Sequence, residues 1–209
     1  MKQQILAMLT LQDSMNQRVH PQWRSQGYAW YRAIWVECAE LLDHFGWKWW
    51  KKQDPDTEQV ALELIDIWHF GLSLMLESGK SAEQLSAEIE RDIAGAAGSG
   101  DFRADVEVFA GAVLRDKDFD TCGFARLMAG VGMNFDQLYS GYVGKNVLNF
   151  FRQDHGYKDG SYRKTWSGKE DNEHLVEVLT ELDLASSRFK EELYEALKAR
   201  YDRLSPTVS

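Results

Sequence analysis

Cysteine and proline are scarce in this 209-residue chain, and basic residues are outnumbered by acidic ones. The two cysteines, Cys38 and Cys122, are too few for a disulfide framework and too far apart for a Cys-x-x-Cys metal motif. Reduced thiols in a cytoplasmic protein are therefore expected. Only Pro21, Pro55 and Pro206 can remove a backbone donor and kink a helix, which leaves long stretches free to run as helices and disfavours β architecture. Against 33 Asp and Glu there are 24 Lys and Arg, a formal net charge of -9. That balance argues against nucleic acid or an anionic membrane as partner, because affinity for a phosphate surface comes from clustered cations. Any phosphate site must be local. The N-terminal MKQQILAMLTLQDSMN turns polar by Gln12, so it does not read as a signal peptide. No run reaches the roughly 18 consecutive apolar residues of a membrane span.

What the chain does contain is apolar residues at helical spacing, and at 44% hydrophobic composition it can bury a single core. Ile5, Leu6, Leu9 and Met15, then Trp30, Ile34, Leu41 and Phe45, then Val60, Leu64, Ile67, Leu74 and Leu76 predict three helices. His20-Pro21 ends the first and Gly46 the second, and Asp56 or Thr57 caps the third. A fourth starts at Ser81, with Gln84 placed to reach back to the cap. After a flexible joint from Gly95 to Gly100, further helices are predicted over 102–114, 119–133, 135–151, 170–182 and 186–203. A segment rich in glycine, lysine and tyrosine, 156–168, interrupts them. The expected fold is an all-α multi-helix bundle, one domain over 1–209, with a mobile lobe around 80–135.

Two acidic pairs stand out within apolar sequence: Glu37-x-x-Glu40 in WVECAELLDHF and Glu63-x-x-Asp66 in ALELIDIWHF. Residues three apart share a helix face, with Cβ atoms about 5–6 Å apart, so two adjacent antiparallel helices would bring four carboxylates together. Trp35, Leu41, Leu62, Leu64, Ile65 and Ile67 surround them in the sequence. Carboxylates in such a setting repel one another and are costly to bury unless cations compensate. Hard oxygen ligands suit Mg²⁺, which binds few protein carboxylates together with waters and substrate phosphates. Taken singly, either pair is an ordinary solvated helix spacing.

Further along, GKNVLNFFRQDHGYKDG runs on through SYRKTW. Lys145, Asn149 and Arg152 fall on one helix face, and Lys158, Arg163 and Lys164 follow, a basic cluster in an acidic protein. Arg clamps phosphate oxygens with two donors, Lys adds a point charge, and glycine lets backbone approach a ligand. Near the start, Gln12, Asp13 and Asn16 offer groups that can read a pyrimidine edge. Trp47, Trp49 and Trp50 follow the first acidic pair and His69-Phe70 the second, where an aromatic ring could stack on a base. His20, His44, His155 and His174 lack ligand spacing, so no zinc site is expected.

In order, LQDSMN, the two acidic pairs, GKNVLNFFRQDHGYKDGSYRKTW and its continuation Gly168-Lys-Glu-Asp-Asn172 resemble the dimeric dUTPases of the all-α, MazG-like nucleotide pyrophosphatase superfamily. The resemblance spans about Leu11 to Asn172, and little of it falls between Lys80 and Phe135. It implies hydrolysis of dUTP, with dUDP as second substrate, by a homodimer that uses Mg²⁺. It implies that Glu37, Glu40, Glu63 and Asp66 hold the metals and that Glu37 orients or deprotonates the attacking water. Gln12, Asn16 and Asn149 would contact uracil, with Trp49 and Phe70 enclosing it. Lys145, Arg152, Lys158 and Lys164 would hold phosphates, with His69 and Tyr157 near sugar or phosphate. Two other readings stand beside this one: a related pyrophosphatase acting on dCTP or another nucleotide, and a catalytically silent, dimerising helical protein.

Overall fold

The computed structural model describes residues 1–183, 186 and 188–204. Nine α-helices occur among them: α1 Lys2–Val19, α2 Trp30–Phe45, α3 Thr57–Leu76, α4 Ala82–Ile93, α5 Phe102–Asp116, α6 Thr121–Gly130, α7 Phe135–Asp154, α8 Asp171–Glu181 and α9 Phe189–Leu204. The expected all-α fold is thus what the chain adopts. The residues fall into two compact units, Met1–Tyr139 and the chain from Ser140 onward.

In the first unit α3 is the central element, and α1 and α2 pack on it. Its apolar residues occupy nearly its whole circumference: Val60, Leu62, Leu64, Ile65, Ile67, Trp68, Leu72, Met75 and Leu76 are all buried. By length and composition α3 would pass for a membrane span, with a mean hydropathy of 1.3, yet 72% of that window is buried inside the protein. Its apolar surface is consumed by packing. Trp68 stacks on Phe124 at 5.0 Å and meets Phe119 edge-on at 5.8 Å. Gly71 makes that packing possible, since a Cβ there would lie 2.3 Å from the Phe119 ring. Segment 80–135 supplies α4 to α6: α4 packs on α1, α5 on α2, and α6 on both α4 and α5.

Helix starts follow cap chemistry. The Asp56 side chain accepts from Gln59 N, and Ser81 and Gln84 form a reciprocal capping box. Helix α6 is shorter than the predicted 119–133, because Asp120 caps it by accepting from Gly123 N and Gly132 turns the chain at a φ of 71°. Helix α7 runs three residues past the predicted end.

In the second unit a two-residue antiparallel ladder, β1 Thr165–Trp166 and β2 Lys169–Glu170, interrupts the predicted loop. The sequence carries no strand-length pattern there; a tight turn makes the hairpin, with Ser167 and Gly168 both at positive φ (51° and 85°). It buries Trp166 completely, against Phe151, His174 and Tyr201. Helices α8 and α9 pack together, and Arg200 pairs with Glu177 and Glu181 across them. The predicted start of the last helix includes Ser187, which lies outside the described residues.

Candidate active site

Three of the four predicted acids converge. Oxygen atoms of Glu37 on α2 and of Glu63 and Asp66 on α3 all lie within 4.8 Å of one another. The pairing of α2 with α3 brings them together, since each acid sits on the face that its helix turns to the other. Glu63 is buried, Glu37 and Asp66 are half-buried, and Glu40 is exposed and outside the trio. Trp35, expected among the apolar surroundings, is also half exposed (50%). The site therefore has a solvent-facing side.

Its electrostatics are unfavourable without a cation. The Glu37 carboxyl is pushed up to about 8, first by burial, then by the charge of Asp66, a hydrogen bond with Glu63, and the charges of Glu63 and Glu40. Burial, reinforced by Glu37, also pushes the neighbouring Cys38 thiol up to about 12, which keeps it protonated. An all-oxygen donor set that raises the proton affinity of Glu37 suits a hard divalent cation. His44 belongs to the same group: its Nε2 lies 3.6 Å from Glu63 Oε1. Sequence reading set it aside with the other histidines as lacking zinc-ligand spacing, yet it stands four residues after Glu40 and seven after Glu37, which puts all three on one face of α2.

Close to Asp66 on α3, a buried polar network links α1 to α3. Gln12 Nε2 donates to Asn16 Oδ1 (3.1 Å) and to Ser73 Oγ (3.0 Å), and Asn16 Nδ2 donates to the same hydroxyl (3.0 Å). Gln12 Oε1 meets His69 Nδ1 at 2.9 Å, and the Ser73 hydroxyl donates to the His69 carbonyl (3.0 Å). Gln12, Asn16 and His69, each expected at the substrate, are thus joined to one another. Ser73 was missed, although it follows His69 by one helical turn. Phe70 is half-buried beside Trp30, with ring centroids 6.2 Å apart. Trp49 is 90% exposed and meets Trp50 edge-on at 5.5 Å.

The predicted basic residues belong to the second unit. Arg152 makes a two-pronged pair with the fully buried Asp171: Nε and Nη2 lie 2.8 Å from its two carboxylate oxygens. Arg152 also donates to Asn149 Oδ1 (3.1 Å), and Lys145, itself buried, donates to Asn172 Oδ1 (3.1 Å). Tyr162 completes the group by donating to Asp171 at 2.8 Å. Burial alone would raise the Asp171 carboxyl; the bonds and charge of Arg152, the Tyr162 hydroxyl and Lys164 outweigh it and hold it below the ordinary range. Tyr157 is exposed with the Arg152 guanidinium 5.9 Å from its ring, Lys164 pairs with Glu170 at 2.9 Å, and Lys158 is exposed. Asp171 and Asn172 received no role from the sequence, although both lie in the continuation motif.

Fold and site together define an all-α protein with a carboxylate cluster on a packed helix pair, suited to a divalent metal. Residues 4–157 match the family model described as dUTPase, and the chain belongs to that family, the all-α dimeric dUTPases. It is accordingly an enzyme of the dUTP diphosphatase type, in a family that depends on metal. No curated protein matches the chain.

Proposed function

We propose that the enzyme hydrolyses dUTP to dUMP and pyrophosphate, and dUDP to dUMP and phosphate, with Mg²⁺ as its cation. The observation that carries this reading is the convergence of Glu37, Glu63 and Asp66 within 4.8 Å in a member of the dUTPase family. These three, with Glu40 at the solvent side, would hold the cation, which when bound supplies charge neutralisation to phosphate oxygens and acidity to water. Glu37 orients the attacking water or takes its proton on a carboxylate oxygen. The buried amides of Gln12 and Asn16, oriented by Ser73 and His69, read uracil; uracil contact is also the role proposed for Asn149. Trp49 and Phe70 enclose the base. Lys145, Arg152, Lys158 and Lys164 hold phosphates, with Arg152 kept in one orientation by Asp171, and His69 and Tyr157 lie toward the sugar and phosphate. The working unit is a homodimer in the cytoplasm, a reading that rests on the family and on two free thiols, Cys38 and Cys122.

Incubating the protein with each deoxynucleoside triphosphate and Mg²⁺, and measuring pyrophosphate, tests the reading. Release from dUTP well above the others is expected, together with phosphate release from dUDP. Preference for dCTP would move the assignment to the related pyrophosphatases, and no release from any nucleotide would overturn both.

A further inference from the structure

We infer that Arg103, on α5, is a positioning residue for substrate binding, because its guanidinium holds the base of the loop that carries Trp47, Trp49 and Trp50. The substrate part of this inference rests on the proposed role of Trp49; the structural part does not. Arg103 Nε donates to the carbonyl of Gly46 at 2.6 Å, where the chain leaves α2. The last carbonyls of a helix have no partner within it, and a cation there also faces the negative end of the helix dipole. The same guanidinium lies 5.0 Å from the Phe45 ring, which in turn packs on Phe102 at 4.5 Å. One residue thus grips the end of α2 by charge, hydrogen bond and ring face.

The loop depends on this grip because its own side chains do little to bury it. Trp47, Trp49 and Trp50 are 45%, 90% and 56% exposed and meet one another edge-on. Hydrogen bonds and a glycine turn fix the loop instead, and Trp47 Nε1 donates to Asp43 Oδ1 at 3.0 Å. Gly46 turns out of α2 at a φ of 90°, with a Cβ position only 2.7 Å from Gln53 Cβ, and Gln53 Oε1 accepts from Lys48 N at 2.7 Å. The loop is therefore tied at its base, at the residue that Arg103 holds.

Arg103 is itself well anchored. The Asp101 side chain accepts from Arg103 N and Ala104 N, and buried Asp105 accepts from Ser99 N at 3.0 Å. Gly98 approaches Gly130 so closely that a Cβ on it would lie 3.2 Å from the Gly130 Cα. Its segment contributes little to the family resemblance, so a role for Arg103 is visible only in the tertiary structure.

Amide hydrogen exchange and steady-state kinetics on Arg103→Met and Arg103→Lys test the inference. Met keeps the stem and loses the donors; Lys restores a charge without the planar Nε geometry. In Arg103→Met, amides of residues 46–53 should exchange about tenfold faster or more, the loss of one charge-assisted hydrogen bond, while α1 and α3 keep their protection. KM for dUTP should rise about tenfold with kcat changed by less than about twofold, as when uniform binding is lost, and Arg103→Lys should recover part of both effects. Unchanged exchange at 46–53 in Arg103→Met overturns the inference. So does faster exchange throughout the first unit in both variants, or a fall in kcat at constant KM. If the wild-type protein releases nothing from dUTP, Trp49's proposed role fails with the function, and exchange alone decides whether Arg103 holds the loop.

Discussion

Glu37 carries a conflict that a bound cation would resolve. Its carboxyl binds a proton more tightly in the folded chain, up to about 8, than at the ordinary value of 4.5. Between those values the native state holds more protons than the unfolded one, so stability falls with rising pH. The contribution is fully present below the ordinary value and lost as pH rises through about 8. In the presence of a chelator the thermal midpoint is expected to drop across that window, and Mg²⁺ should raise it more at about pH 8 than at about pH 5. Equal gains at both pH values would refute Glu37 as part of the cation site. Replacing Glu63 or Glu37 by Gln removes charge with little change of volume. Either variant should lose turnover by about a hundredfold or more, since a bound metal contributes several kcal/mol to such a transition state, and should keep its helical circular dichroism. Turnover within a few-fold of wild type in either would refute the metal assignment.

Among the elements, α3 decides most. It carries two acids of the cluster, the His69 and Ser73 half of the polar network, and much of the first unit's core. Its position depends on Gly71, where Ala would place a methyl group against Phe119. Gly71→Ala is expected to cost about 1–3 kcal/mol, as overpacking typically does, read as a lower urea midpoint; no loss would mean that the ring shifts freely. Asp56→Ala should cost about 1 kcal/mol by removing the cap of the same helix. Both the start and the end of α3 were legible from Asp56-Thr57 and from the apolar period. The hairpin at 165–170 was not, because a two-residue ladder has no periodicity to read and its turn uses a serine at positive φ.

At the scale of the molecule, the chain forms two compact units, with the acids and the Gln12 network in one and the Arg152 network in the other. The homodimer proposed above rests on the family. Sedimentation equilibrium at micromolar concentration should return twice the mass of one chain. A single-chain mass at every concentration would overturn that proposal.

Much was determined by sequence alone. Helical periodicity and few prolines dictate an all-α fold, cap residues mark where helices start, and acids three apart must share a helix face. These are local properties, set by residues within a turn or two of each other. Tertiary structure alone decided which carboxylates meet, that Glu40 stays at the solvent side, and that His44 approaches Glu63. It also decided that Arg152 is held by a buried aspartate and that Arg103 grips Gly46. The four predicted acids remain as candidates, sharpened to a trio with Glu40 beside it. Spacing along one helix specifies a face, but the distance between two faces depends on how side chains far apart in sequence fill the space between them.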